Sequence, residues 1–244
     1  MICLQRNAEM FGFHLDMAYV LYVFLPSIAI SGIASLMVRS AFNRYSEVGS
    51  RRGYTGAQAA QVLLREAGID DVQVVPTHGY LSDHYNPMTK TLALSEQVYG
   101  SSSVAAIGVA CHEAGHAIQH AHGYAPLWAR SALVPMVGIG SYAANILIPM
   151  GMLLNSLSLV WVGVIAFGAI VLFQFITLPV EFDASRRAKL LCVEAGIIDA
   201  DERKGVDAVL NAAALTYVAA FVGSLLTLMY YLIKLGVIGG RNEE

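Results

Sequence analysis

Ala110-Cys111-His112-Glu113-Ala114-Gly115-His116-Ala117-Ile118-Gln119-His120 contains the pattern H-E-x-x-H. On a helix, residues four apart share a face, so the imidazoles of His112 and His116 can reach one tetrahedral zinc ion. Glu113 follows the first histidine, where its carboxylate can take a proton from a water polarised by the metal, as attack on a peptide carbonyl requires. Small and apolar residues from Val104 to Ala110 predict a buried helix, capped by Ser103 and stopped at Gly123. Two histidines do not complete a catalytic zinc site, so the fold must bring a third ligand from elsewhere in the chain.

The rest of the chain is a membrane protein built around that helix. The hydrophobic fraction is 56% and the charged fraction 14%, against soluble averages of about 45–50% and about 25%. Mean hydropathy is +0.56. A net charge of -3, with no basic patch interleaved with aromatics, argues against nucleic acid as a partner. Cys3, Cys111 and Cys192 have no paired spacing, so neither a disulfide framework nor a zinc knuckle is expected. Cys111 points about 100° away from His112 around the helix and reads as packing.

Met17 to Val38 is apolar and uncharged, long enough to span a bilayer despite Pro26. Arg6, Glu9 and Asp16 precede it, and Arg39, Arg44, Arg51 and Arg52 follow. That charge order fits an uncleaved anchor with its N-terminus outside better than a signal peptide. Asn43 to Gly123 is the main polar region. Within it Thr55-Gly56-Ala57-Gln58 is a capping box opening a short amphipathic helix that stops at Gly68. Val72 to Val75, ending at Pro76, and Thr91 to Leu94 predict two strands of a hairpin or small sheet. His78 to Thr89 between them is turn-rich.

Leu127 to Leu154 and Leu157 to Leu178 predict a helical hairpin across the bilayer. Pro179 to Ala195 reads as a polar helix closed by Gly196. Asp199, with Glu202 three residues on, reads as the cap of a last helix whose apolar part, Tyr217 to Leu232, is a fourth span. The tail Gly239 to Glu244 is expected to fray. The fold class expected is mainly α: a polytopic membrane protein with about four transmembrane helices and a small α+β cytoplasmic zincin-like domain. The domains are a transmembrane anchor over 1–39, a cytoplasmic domain with the H-E-x-x-H helix over 40–126, and a transmembrane hairpin over 127–178. A cytoplasmic helical segment over 179–212 carries the third zinc ligand, and 213–244 hold the C-terminal transmembrane helix and tail.

Topology narrows that ligand. Alternation of four spans puts 39–130 and 179–212 on one side. Of the fifteen basic residues only Arg6, Lys234 and Arg241 fall elsewhere. By the positive-inside rule the two polar regions face the cytoplasm. Glu181 is then the first candidate, because its helix face also carries the small residues Ala184, Ser185 and Ala188 and can approach the H-E-x-x-H helix closely. Asp183 is the rival, about 200° away around the helix. One acid can bind zinc while the other orients a histidine. His120 lies one more turn along the histidine face, where a straight helix does not wrap a third ligand round one ion. His122 reads as a helix-end residue.

Leu81 to Pro87, Val109 to His120, Pro179 to Ser185 and Ala213 to Ala220 together resemble the YugP-type neutral zinc metallopeptidases of bacterial membranes. The likeness runs from about Tyr54 to Leu232. It implies a zinc peptidase without identifying a substrate. A more distant likeness is to HtpX-type and CAAX-processing membrane metallopeptidases, which pair H-E-x-x-H with a later zinc-binding Glu followed four residues on by an Asp. Glu181 takes the ligand place, Ser185 stands where that Asp would be, and Asp183 is displaced by two.

His84 and Tyr85 lie in a turn that can cover the cleft, where either can donate a hydrogen bond to the developing oxyanion. The Thr91 to Leu94 strand can pair with an extended substrate at its edge. Tyr217 can face the site but reads first as an interfacial aromatic anchor, and Arg130 can bind a substrate carboxylate but reads first as a positive-inside flank. The reading is a metalloendopeptidase of the bacterial plasma membrane with its site on the cytoplasmic side. The catalytic residues are Glu113 and His84; His112, His116 and Glu181 hold Zn2+. The expected partners are polypeptide substrates and the lipid bilayer, with no nucleic acid; a homo-oligomer or a membrane partner protein is left open. The alternative of another class is a non-catalytic membrane scaffold braced by structural zinc, from which the presence of a base at Glu113 distinguishes the enzyme.

Overall fold

The chain is described by a computed structural model over residues 17–238. The flank with Cys3, Arg6, Glu9 and Asp16, and the tail Gly239–Glu244 with Arg241, lie outside the described residues. Among the described residues, seven helices and three strands run in the order α1 (Met17–Ser46, with a wide π-turn over Val20–Phe24), α2 (Gly56–Glu66), β1 (Gln73–Thr77), β2 (His84–Asn86), β3 (Thr91–Ser95), α3 (Glu96–Tyr99), α4 (Val104–Ala121), α5 (Ala125–Leu153), α6 (Leu157–Glu194) and α7 (Arg203–Lys234).

Among the described residues four helices, α1, α5, α6 and α7, are long and apolar enough to cross a membrane, with mean hydropathies of 1.6 to 2.5 over their most apolar windows. Only 11–22% of each window is buried within the protein. Tyr142, Ile139 and Ile165 are 76%, 74% and 69% exposed. Side chains this apolar turned outward require a hydrocarbon surround.

Contacts group the chain into two units. The described part of the first comprises residues 17–32, 129–176 and 218–238. Its core is formed by Ala144, Ile148, Val160 and Val164, with Leu228 and Tyr231 packed against them. Glycines set the spacing of α5 and α6: a Cβ on Gly151 would fall 2.7 Å from the Val160 nitrogen, and one on Gly163 3.0 Å from that of Ile148. The hairpin turns at Asn155, whose φ of 50° suits a residue tolerant of the left-handed region.

The second unit comprises residues 33–128 and 177–217. Its core is larger and includes Leu63, Leu92, Leu94, Ile107, Ile197 and Leu210. Thr55 and Gln58 form the expected box: the Gln58 amide donates to Thr55 Oγ1 at 3.2 Å and Gln58 Oε1 accepts from the Thr55 amide at 2.9 Å. Gly68 follows with a φ of 68°. Ser103 Oγ accepts from the Ala106 amide at 3.2 Å, so α4 starts where its cap predicts, and it ends at His122 and Gly123.

Several boundaries differ from expectation. His78 to Thr89 contains a strand, β2, so the sheet has three strands in the order β1-β3-β2. β1 runs through Pro76 to Thr77, because an edge strand tolerates a residue with no N–H to give. β3 is central, paired in parallel with β1 and antiparallel with β2. Its backbone edges are therefore occupied, which overturns the expectation that Thr91 to Leu94 receives a substrate strand. The third span and the polar helix after it are one helix, α6, which passes Pro179 without breaking. Proline removes one hydrogen bond there, and the buried packing of Val180, Glu181 and Ala184 just beyond holds the helix together. Asp199 does not cap α7, which begins at Arg203. Instead Glu202 Oε2 accepts from the Asp199 amide at 2.8 Å and Glu202 Oε1 from the Arg51 amide at 2.9 Å, pinning the connecting turn to the segment after α1.

Candidate metal centre

The two histidines of α4 point at the same carboxylate of α6. Glu181 Oε2 lies 3.2 Å from His112 Nε2 and 3.6 Å from His116 Nε2. The imidazole rings stand edge to face with centroids 4.8 Å apart. One ligand atom from each of the three residues falls within 4.8 Å of the others. Donors about 2.0–2.2 Å from a tetrahedral zinc lie about 3.3–3.6 Å from one another; the two Glu181–imidazole distances match that spacing, and the donor set has the N/N/O chemistry of a three-ligand catalytic site. Burial is deep: the side chains are 13%, 9% and 2% exposed. Burial opposes charging His116, but the Glu181 and Glu113 carboxylates and Gln119 outweigh it and raise its pKa. The pocket thus favours positive charge.

Close approach of the helices makes this possible. Gly115 sits between the two histidines, and a Cβ there would lie 2.9 Å from the Ala184 carbonyl oxygen. Ala184 and Ala188 on the facing side of α6 are fully buried, as the run of small residues predicts. Gly115→Val forces the two backbones apart. It should cost about 1–3 kcal/mol of stability, the usual range for overpacking, read from unfolding in detergent, together with a loss of bound zinc.

Each imidazole is held from behind. Ser185 Oγ lies 3.2 Å from His112 Nδ1. Gln119 Oε1 lies 3.0 Å from His116 Nδ1, while Gln119 Nε2 donates to the Val180 carbonyl and to Asp183 Oδ2, both at 2.9 Å. Asp183 also accepts from Arg186 and Arg187, each at 2.6 Å. Asp183 therefore faces away from the cluster, as its angle to Glu181 on the helix requires.

A cavity of about 370 Å³ opens on the cluster, all within the second unit. His112, Glu113 and Glu181 line it with Arg39, Phe42 and Tyr217. Glu113 is buried. Leu81 and Asp83, just ahead of β2, also reach the wall. Asp83 is pushed up in pKa by burial, against hydrogen bonds from the Ser95 amide at 2.7 Å and hydroxyl at 3.1 Å.

The chain matches the profile of the family described as "Putative neutral zinc metallopeptidase" over residues 20–236. It belongs to that family. It is also 45% identical over 227 residues to "Putative membrane protease YugP" of Bacillus subtilis (strain 168), an alignment covering 92% of this chain and 100% of that one. No solved structure matches the chain. As a neutral zinc metallopeptidase the chain is an enzyme, and its four long apolar helices accord with a membrane protease.

Placed on this member of the neutral zinc metallopeptidases, the expected residues divide. His112, His116, Glu181 and Glu113 come together. His84 does not join them: it is exposed on β2, its Nδ1 is 2.8 Å from the Ser82 carbonyl oxygen, and it is not on the cavity wall. Alternation along the strand turns Tyr85 the other way, and its hydroxyl meets His120 Nδ1 at 2.8 Å. His120 is thereby engaged outside the cluster. Tyr217, read as a membrane anchor, lines the cavity. Arg39, read as a charged flank, does the same. Gln119 and Gly115 carried no role in the sequence reading, although Gln119 is one helical turn beyond His116 and a turn is the distance at which side chains meet.

Proposed function

We propose that this protein is a zinc-dependent endopeptidase that cleaves membrane-associated or misfolded polypeptides on the cytoplasmic side of the bacterial plasma membrane. One observation carries the proposal: two imidazoles and a carboxylate gather their ligand atoms within 4.8 Å of one another, and His112 and Glu181 of that cluster line a cavity with a fourth side chain, Glu113, suited to proton transfer. His112 Nε2, His116 Nε2 and Glu181 Oε2 would hold zinc, which when bound polarises the scissile carbonyl and acidifies the attacking water. Glu113 takes that water's proton and delivers it to the leaving amine nitrogen. Phe42, Leu81 and Val209 give the cavity apolar walls, which suit a hydrophobic substrate side chain and keep bulk water from the proton transfer. Of the described lining residues Arg39 alone is cationic, a partner for a substrate carboxylate or for negative charge developing on the carbonyl oxygen.

The cytoplasmic placement rests on charge. Both polar regions that build the site carry the basic residues, from Arg39 to Arg130 and from Arg186 to Lys204. Purified in detergent with zinc, the protein should cut an unfolded polypeptide at internal bonds. A chelator should stop the cutting and added zinc restore it. Cutting that persists with no bound metal removes the zinc reading. Reporter fusions after Lys90 and after Lys189 should both report the cytoplasm, and opposite sides would remove the topology.

A further inference from the structure

We propose that Gln119 is the positioning residue that selects the Nδ1–H tautomer of His116, and thereby sets how tightly the centre holds its metal. This rests on the reading of His112, His116 and Glu181 as ligands. Gln119 is completely buried on α4. A primary amide out of water has to satisfy both ends, or the unmade hydrogen bonds destabilise the fold. Here all three of its bonds are made inside the protein, and their partners fix which way the amide points.

The Val180 carbonyl has no proton to give. Asp183, flanked by two guanidinium groups at 2.6 Å, is an acceptor as well. Two acceptors 2.9 Å from one end of the amide require that end to be the NH2 group. Turned over, the amide would set its oxygen against a carbonyl and a carboxylate together. The oxygen must therefore face His116 Nδ1, 3.0 Å away. An amide oxygen only accepts, so Nδ1 carries the hydrogen. Nε2, the nitrogen that faces Glu181 Oε2, is then the one that can give a lone pair to a metal.

His112 is held differently. Its Nδ1 meets the Ser185 hydroxyl, which donates or accepts with equal ease and dictates no tautomer. The two ligand histidines are thus unequal. One is committed to the metal-binding tautomer by a chain from α6 through Gln119; the other is only oriented. The same chain ties α4 to the turn of α6 that bears Glu181, so ligand orientation and helix docking depend on one buried amide.

Gln119→Met keeps the length of the side chain and removes the amide. Zinc affinity of the full-length protein in detergent, read by competition with a chromophoric chelator, should fall about 10–100-fold, the range for losing a group that orients a ligand. Ser185→Ala should lose less. The cobalt-loaded protein should show an altered d–d spectrum in Gln119→Met. Unchanged zinc affinity in a folded Gln119→Met overturns the proposal.

A second measurement needs no variant that might fail to fold. The magic-angle-spinning spectrum of metal-free, 15N-histidine-labelled wild type should show His116 protonated at Nδ1, with or without a second proton on Nε2, its signals assigned by their loss in His116→Gln. The opposite tautomer overturns the proposal. The two readings fail separately: wild-type zinc affinity in His116→Gln overturns the ligand set and this inference with it. Lost affinity there, with wild-type affinity in Gln119→Met, overturns the inference alone.

Discussion

Glu113→Gln is expected to leave zinc bound at wild-type stoichiometry and to lower peptide hydrolysis by about 10²–10⁴-fold, the usual contribution of a positioned general base. The substitution is nearly isosteric, so the buried side chain keeps its place beside His112 on the cavity wall. Only the capacity to accept a proton goes. Metal analysis and initial rates on a fluorogenic peptide read the two quantities independently. A structural zinc brace predicts another pattern: it needs no base, so no catalytic quantity changes and the wild type cuts nothing. Equal rates in wild type and Glu113→Gln would remove the mechanism while leaving the metal centre intact.

Glu181→Gln is expected to reduce zinc affinity by more than the about 10–100-fold typical of a residue that only orients a ligand, with hydrolysis at background. The side chain is 2% exposed, and its Oε2 faces both imidazoles. Replacing it with a neutral amide removes the anionic ligand proposed for the centre and sets an NH2 group or an amide oxygen in its place, neither of which matches a carboxylate on a dication. Asp183→Asn is the comparison, since Asp183 bonds Gln119 and two arginines and no imidazole. Chelator competition on both variants ranks the two acids. An affinity lost in Asp183→Asn and retained in Glu181→Gln would reverse their assignment.

The spans, the caps and the histidine helix were legible because each depends on local rules. Apolar runs of transmembrane length, the Thr55–Gln58 box and the Ser103 cap involve groups within a turn or two of one another, or a property of one segment against its solvent. That Glu181 and not Asp183 faces the two histidines was also legible, from helical angle and the run Ala184, Ser185, Ala188. What failed to read depended on partners distant in sequence. The β2 strand hides in a turn-rich segment, because three residues beside β3 need only that strand's backbone. His84 looked fit for the cleft on composition alone, yet strand alternation and the Ser82 carbonyl turn it to solvent. Arg39 read as a charged flank, and Tyr217 as an anchor before a site residue, because nothing near them in sequence marks a cavity.

By itself the sequence determined the chemistry on offer: a pair of histidines on one helical face, a base beside the first, four apolar helices, and an acid on a helix able to pack closely. Tertiary structure alone decided what those groups do for one another. It placed Glu181 Oε2 between two imidazoles, brought Gly115 against the Ala184 carbonyl, and linked Asp183 to His116 through Gln119. The reason is physical. A side chain's donors, acceptors and charge belong to its residue type, but hydrogen bonds and ligand shells are fixed by positions in space, and packing of α4 on α6 sets those between residues more than sixty apart in the chain.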